Sequence, residues 1–308
     1  MPKIHEHADY KKIDSMCSDE KIQFVYNFSK HNSKGSNIIV EIGTFFGAMT
    51  QAIRLGCNDK TKKIITCDFF SWDSDKQIKY PEKGYINGDD FSKEVIENLS
   101  HLENIEIYKN DFTNLKINEN IDLMFVDAPK RNKYVIEFVK IFSKFWIPNH
   151  TKILFEDYNQ FFSYELPATL HPINHHFKFY SDVSGIVVGE VKSNIFFDHE
   201  LKKMNIRDWS KNEIIKNWNE IINTGNNKKY LEKDISIFMH LFDNGYTDDA
   251  KKYAIEKKID FKKYSVKQQF IDRYINYKTK TKTKSNTLMN SISKNKFLRK
   301  LINKFKTN

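Results

Sequence analysis

The chain has 308 residues, of which 40% are hydrophobic and 14% aromatic, so it can bury a substantial core. No run approaches the roughly 20 consecutive apolar residues that cross a bilayer, and the N-terminus carries no apolar signal region, so we expect a cytoplasmic protein. The three scattered cysteines, Cys17, Cys57 and Cys67, favour neither a disulfide framework nor a zinc site, and we expect buried free thiols.

The net charge of +10 is confined to one end of the chain. Residues 278–308 contain ten Lys and Arg and no acid, and the remaining 40 bases balance the 40 acids. A neutral body argues against a nucleic-acid partner. Apolar residues recur between the lysines of 278–308 at roughly helical spacing, which predicts a basic amphipathic helix on an anionic membrane surface. A frayed charged tail and a helix that docks on a protein are the alternatives.

The stretch 37–50 predicts a strand, a tight turn and a helix. A β-branched run ends at Glu41, Gly43 and Gly47 follow, and a helix-compatible segment runs over 48–55. Glycine permits turn conformations closed to other residues and lets a ligand approach the backbone, and the helix start offers unpaired N–H groups. The pattern is neither a dinucleotide fingerprint nor a P-loop. It predicts a polar small molecule at the first strand-to-helix turn of an α/β sheet.

Further apolar runs predict the rest of this sheet. The five strands are predicted at 37–42, 63–68, 105–108, 121–126 and 152–155. The helices are predicted at 18–30, 48–55, 90–99 and 133–145. Two more strands, 175–180 and 185–191, would add an antiparallel hairpin. Continuous apolar strands that alternate with helices are typical of a doubly wound, mostly parallel α/β sheet, and the irregular aromatic segment 69–90 is predicted to be a lid outside the core.

Beyond residue 193 the sequence predicts a helical appendage. Its helices are expected at about 206–222, 228–243, 247–257 and 264–277, with no catalytic constellation among them. The predicted organisation is therefore an N-terminal helical cap at 1–36, an α/β domain at 37–193, a helical region at 194–277 and the basic tail at 278–308.

Carboxylates follow most of the predicted strands. They are Glu41, Asp68, Asp111, Asp127, Glu156 and Asp157. Because open α/β sheets bind ligands outside the carboxyl ends of their strands, these side chains are expected to meet in one crevice. A single acid at such a position is as often a helix cap or a turn residue as a ligand contact. So many on one edge predict a binding site.

Five short motifs carry a family resemblance over residues 37–192. They are Val40 to Gly47, Thr66 to Asp68, Asn110 to Phe112, Phe125 to Lys130 and Leu154 to Tyr158. In this order they resemble the class I S-adenosylmethionine (SAM)-dependent methyltransferases, which implies a Rossmann-like fold and SAM as cofactor. The resemblance implies that Glu41, Gly43 and Gly47 shape the loop under the methionine part of SAM. It also implies that Asp68, followed by Phe69, binds the ribose and that Asp111 and Phe112 lie at the adenine.

A narrower resemblance is to the catechol O-methyltransferase-like and macrolide-sugar O-methyltransferase branch. Those enzymes hold a divalent metal with an Asp after the fourth strand and an acidic or Asp-Asn pair after the fifth. Asp127 and the pair Glu156 and Asp157 occupy these places, and Lys130 keeps the Asp-x-x-Lys spacing of the catechol enzymes' base. The resemblance implies Mg²⁺ at Asp127, Glu156 and Asp157, and Lys130, Asp127 and Asp157 as catalytic residues. Tyr158 departs from the pattern, so a metal-free site with a solvated Lys130 is the alternative.

The expected function is the O-methylation of a sugar hydroxyl in a bacterial surface glycan or its precursor, with the tail at the inner membrane face. Methylation of a small phenolic or other metabolite is the first alternative. A non-catalytic SAM-binding or scaffold protein with a membrane-associating tail is the second.

Three histidines, His171, His175 and His176, form a second candidate set of bases or ligands. As neighbours in a predicted strand, His175 and His176 are expected to point to opposite faces of the sheet. A structural role is the more common one for such residues.

Overall fold

A single mixed sheet organises the first part of the chain. The computed structural model describes residues 3–33, 35, 37–183, 185–195, 197–223 and 233–261. The strands are β1 Ile38–Ile42, β2 Ile64–Asp68, β3 Ile105–Lys109, β4 Ile121–Val126, β5 Lys152–Phe155, β6 Phe177–Val183 and β7 Ile186–Val191. They lie in the order β3-β2-β1-β4-β5-β7-β6, in which β1 to β5 are parallel and β7 is antiparallel to both neighbours. The predicted doubly wound sheet with an antiparallel hairpin is confirmed.

Ten helices lie in the described ranges. They are α1 Asp19–Asn32, α2 Ala48–Gly56, α3 Ser74–Lys79, α4 Ser92–Leu99, α5 Asn132–Phe142, α6 Glu165–Leu170, α7 Phe197–Lys203, α8 Lys211–Asn223, α9 Lys233–Asp243 and α10 Thr247–Glu256. The predictions for 18–30, 48–55, 90–99 and 133–145 are confirmed, whereas α3, α6 and α7 were not predicted. The predicted helix at 264–277 and the tail at 278–308 lie outside the described residues.

The central strands explain why the apolar runs are continuous. Every residue of β1 and of β4 is buried, because helices cover the sheet on both sides. Val40 and Met124 face a core that contains Phe138 of α5. Ile39 of β1 and Ile53 of α2 belong to the core on the other face. The order of strands reverses between β1 and β4, which is where open sheets of this kind form a crevice.

The start of the segment 69–90 belongs to the core, so its assignment to a lid is wrong there. Phe70 is 0% and Trp72 1% exposed, and their rings pack around Phe91 at centroid distances of 5.8 and 5.7 Å. Backbone hydrogen bonds from Trp72 to Asp89 and from Phe91 to Phe70 hold the two ends of the segment together. Large aromatic side chains can fill a core without periodic backbone structure, which is why no strand or helix pattern marked this segment.

The histidine pair also differs from its prediction. His175 and His176 end a 3-10 helix, His171–His176, and the strand β6 begins only at Phe177. The alternation of side chains along a strand therefore does not apply to them, and both imidazoles contact Glu200 of α7. Pro172 in the first turn favours the helical start over an extended one.

The chain groups into two compact units, one that ends at His240 and one that begins at Leu241. In the first unit α8 packs on α6, and in the second Ala250 and Ala254 of α10 are buried. The domain boundaries predicted at residues 36, 193 and 277 stay predictions. Among the described helices, none combines the length and the apolar character that crossing a membrane requires.

Candidate active site

Glu41 is a fully buried carboxylate at the end of β1. Its Oε2 accepts hydrogen bonds from the hydroxyls of Thr50 and Thr66, the latter at 2.6 Å. Its Oε1 is buried and has no hydrogen-bond partner in the described part of the chain. Burial raises the pKa of Glu41 to about 8. An unpaired buried oxygen is rare in a folded protein, so this one marks a place for a donor that the described residues do not supply.

The two glycines of the first turn adopt left-handed backbone conformations, with φ of 96° at Gly43 and 94° at Gly47. A Cβ on Gly43 would lie 3.0 Å from the Cβ of Asp127, so the turn passes directly against the end of β4. A Cβ on Gly47 would lie 3.0 Å from the Leu99 side chain, and Gly47 is the N-cap of α2. Both positions therefore require glycine for the fold itself. Their contact with a cofactor stays a prediction.

Asp68 ties the first turn to the end of β2. Its Oδ2 accepts the N–H of Phe45 at 2.9 Å, and its Oδ1 accepts the N–H of Phe70 at 3.0 Å. Each carboxylate oxygen has two acceptor positions, so Asp68 can still accept hydrogen bonds from a ligand. Phe69 beside it is 60% exposed.

Asp111 and Phe112 lie at the end of β3. Asp111 caps the 3-10 helix Phe112–Asn114 by accepting the N–H of Thr113 at 2.9 Å. The ring of Phe112 is buried and packs 6.4 Å from that of Phe142. Asp111 thus has the capping role that is common for an acid after a strand. Its role at an adenine stays a prediction.

Stability should depend on pH through Glu41. The folded-state pKa of Glu41, about 8, lies above its usual value of 4.5, so its contribution is complete at low pH and is lost as pH rises towards 8. Glu41→Gln keeps an acceptor for Thr50 and Thr66 but cannot ionise. Between pH 5.5 and 8.5 we expect its free energy of unfolding, measured in urea, to gain about 3 kcal/mol relative to the unsubstituted protein. Exposed Glu137→Gln is the control, and parallel pH curves for Glu41→Gln and the unsubstituted protein would contradict the assignment.

Acids and lysines from three parts of the chain form a cluster after β4 and β5. The Nζ of Lys130 lies 2.5 Å from an oxygen of Asp127 and 2.5 Å from one of Asp157. The Nζ of Lys21, on α1, bonds to Glu156 and lies 3.7 Å from Asp157. We call these five residues the acid–lysine cluster. The sequence predicted its acids and Lys130. It missed Lys21, because nothing in the local pattern of α1 separates an active-site lysine from a surface one.

The pKa values of the groups in the acid–lysine cluster shift in different directions. Burial acts to lower the pKa of Lys130, but Asp127 and Asp157 outweigh it and raise this pKa, so Lys130 is a stable ammonium. Burial, reinforced by the charges of Asp157 and Asp127, raises the pKa of Glu156. Burial acts in the same sense on Asp157, but Lys130 and Lys21 outweigh it and lower the pKa of Asp157. Asp157 is therefore the permanent anion, and Glu156 is the carboxyl group that can exchange a proton near neutral pH.

The segment before α1 covers this edge of the sheet. The hydroxyl of Tyr80 donates to the carbonyl of Ser15 at 2.5 Å, and the Nζ of Lys79 donates to that of Met16 at 3.1 Å. Cys17 follows, with its Sγ 4.0 Å from Glu156, and burial raises the pKa of its thiol. A thiol that stays protonated is inert. The free thiols of Cys57 and Cys67 are buried as predicted, whereas that of Cys17 is only partly buried.

The metal predicted at Asp127, Glu156 and Asp157 stays a prediction. All three carboxylates bind lysine ammonium groups, and a divalent ion would have to displace them. In the described ranges, the one group of three His, Cys, Asp or Glu residues with donor atoms within 4.8 Å of one another is His175, His176 and Glu200. Because each of these carboxylates is paired with a lysine, the arrangement of the acid–lysine cluster does not fit a metal.

A cavity lies away from the acid–lysine cluster. It measures about 600 Å³ and is lined by residues that include Lys63, Glu106 and Glu119, near the starts of β2 and β3. The strand-end acids do not line it. Its location therefore does not identify the chemical site, which is recognised from the cluster of charged groups instead.

A scan against protein-family models and a search of the curated proteins found no match. Among solved structures, the chain is similar to the O-methyltransferase NovP, at 9% identity and a TM-score of 0.46, over 58% of this chain and 82% of NovP. It is similar to the S-adenosylhomocysteine (SAH)-bound methyltransferase PaMTH1 of Podospora anserina, at 16% identity and a TM-score of 0.42, over 58% and 80%.

A third similar structure is a SAM-dependent O-methyltransferase of Thermotoga maritima, at 14% identity and a TM-score of 0.39, over 64% of this chain and 74% of that one. The three neighbours are methyltransferases. Because the identities and TM-scores are low, these similarities carry no argument about activity, which has to be inferred from the site itself.

Proposed function

We propose that the chain is a SAM-dependent O-methyltransferase. The observation that supports it most is the contact between the first turn and the acid–lysine cluster, since Gly43 leaves room for Asp127 only because it lacks a side chain. A cofactor held at the turn and an acceptor hydroxyl held at the cluster would then be neighbours at the crevice between β1 and β4.

The residues at the ends of β1, β2 and β3 suit this cofactor. The unpaired oxygen of Glu41 can accept a hydrogen bond from the methionine ammonium, and the free acceptor positions of Asp68 can bind the ribose hydroxyls. Asp111 and Phe112 would lie at the adenine. When bound, SAM supplies a methyl group on a positively charged sulfur. The chain has only to bind the cofactor, align it with the acceptor and exclude water.

The acid–lysine cluster can prepare the acceptor. An acceptor hydroxyl has to lose its proton as it attacks, and Glu156 suits this task because its pKa is raised and its Oε2 has no partner in the described residues. Lys130 is already protonated, so its role is to bind the acceptor oxygen and stabilise the developing negative charge. Asp127 and Asp157 hold Lys130 in place.

A sugar hydroxyl of a bacterial surface glycan or its precursor is the preferred acceptor. The cluster offers ammonium donors and carboxylate acceptors side by side, which complements a molecule with several hydroxyls. A small phenolic or other metabolite is the second candidate, because the ring of Phe162 lies 5.9 Å from the Nζ of Lys130. The proposal that 278–308 binds an anionic membrane is independent of the acceptor.

Calorimetry tests the cofactor. Titration of the full chain with SAM and SAH should give one binding site for each, and NAD should not bind. Binding of NAD in place of both would contradict the methyltransferase proposal. Binding of SAH without transfer of labelled methyl to any of a panel of sugar nucleotides and phenols would favour the non-catalytic alternative. A chelator that abolishes transfer would restore Mg²⁺ to the mechanism.

A further inference from the structure

The geometry points to a transition-metal site of the Zn²⁺ class at His175, His176 and Glu200, separate from the proposed active site. The three side chains come from two elements: the end of the 3-10 helix His171–His176 and the helix α7. Two imidazole nitrogens and one carboxylate are donors that Zn²⁺ accepts in proteins. This inference does not depend on the proposed function.

The donor atoms have the spacing of ligands that share one small ion. The Nε2 of His176 lies 2.9 Å from each oxygen of Glu200, and the Nε2 of His175 lies 3.2 Å from Oε1. Zinc–ligand bonds of about 2.05 Å in a tetrahedron put neighbouring donors about 3.3 Å apart. All three donor atoms lie within 4.8 Å of one another, so adjustment of these side chains would complete three protein ligands, with water as the fourth.

His176 is oriented as a metal ligand. It is buried, with its side chain 8% exposed, and its Nδ1 lies 2.7 Å from the hydroxyl oxygen of Ser193. Without an ion, the Nε2–H of His176 donates to Glu200 and the hydroxyl of Ser193 donates to Nδ1. When an ion replaces the proton on Nε2, Nδ1 can carry the proton and donate it to Ser193, which leaves the lone pair of Nε2 for the ion. Metal-binding histidines are commonly fixed in this way through the nitrogen that does not bind the ion. The chain thus provides an orienting partner as well as ligands.

The location of the site suggests what the ion does. His176 precedes β6 and Ser193 follows β7, so the site lies at the open end of the terminal hairpin. Val191 of β7 pairs with Thr151 before β5, which places this end at the start of β5, opposite the edge that carries Asp157. An ion here would join α7 to the hairpin and stabilise the sheet edge without taking part in methyl transfer.

Zinc titration of the full chain, freed of any histidine tag and dialysed against chelator, tests the inference. Calorimetry should give one Zn²⁺ site, and the melting temperature should rise with Zn²⁺ but not with Mg²⁺, which prefers oxygen ligands. Glu200→Gln should remove the site. Ser193→Ala should weaken binding by roughly 10- to 100-fold, because it removes only the orienting partner of His176.

Two further variants keep the test decisive. His175→Gln changes a side chain that is 59% exposed, so it should fold normally and still lose Zn²⁺ binding. His7→Ala removes a half-buried histidine that lies 3.9 Å from Asp9, and it should bind Zn²⁺ like the unsubstituted protein. Absence of Zn²⁺ binding by the unsubstituted chain would overturn the inference. Zn²⁺ binding by His175→Gln or Glu200→Gln as tight as that of the unsubstituted protein would overturn it as well.

Discussion

Asp68→Asn is expected to weaken SAH binding by roughly 10- to 100-fold, since a hydrogen bond to a charged group contributes about 1.5 to 3 kcal/mol. The carboxylate lies at the end of β2 and accepts the N–H groups of Phe45 and Phe70. An asparagine side chain can accept only one of these two bonds and carries no charge for the ribose hydroxyls. Calorimetric titration of the two proteins with SAH measures the change.

The matched control is Asp59→Asn. Asp59 is an exposed turn residue that binds Thr61, and it precedes β2 instead of following it. This substitution removes the same charge from the opposite edge of the sheet and should leave SAH affinity unchanged. Unfolding curves of both variants have to be compared as well, because Asp68 also holds the first turn. Unchanged affinity in a folded Asp68→Asn protein would remove Asp68 from its proposed ribose role.

Lys62→Met should give the largest loss of stability. The side chains of Lys62 and Asp122 are 1% and 0% exposed and form a buried ion pair. Without Lys62, the partners of the Asp122 carboxylate among the described residues are Asn37 at 2.7 Å and His150 at 2.5 Å. An uncompensated buried charge costs several kcal/mol, so we expect the free energy of unfolding in urea to fall by about 3 kcal/mol.

Lys63→Met is the neighbouring control. Lys63 is 36% exposed and lies 3.1 Å from Glu106 at the surface, so the same substitution there should change stability by less than about 0.5 kcal/mol. The double variant Lys62→Met with Asp122→Leu removes both charges and should recover much of the loss. If Lys62→Met proves as stable as Lys63→Met, the buried pair does not contribute as the geometry indicates.

The sheet and the position of its ligand edge could be predicted from the sequence because both follow from local patterns. Strands buried on two faces need apolar side chains at every position, as in Ile38–Ile42 and Ile121–Val126. Parallel strands also bring their final residues to one edge, so acids as distant in sequence as Asp127 and Asp157 could be expected to lie together. In the structure, the ammonium group of Lys130 pairs with both of these acids.

Partners that are distant in the chain required the tertiary structure. Lys21 contacts Glu156, which lies 135 residues away in the sequence, and His176 contacts Glu200, which lies 24 residues away. Periodicity records which face of an element is buried, but it does not record which polar groups meet on that face. The unpaired oxygen of Glu41 is invisible to sequence for the same reason, because a missing partner is a property of everything packed around it. The sequence by itself thus determined the sheet and its acidic edge, and tertiary packing alone decided which charges are paired and which are left open.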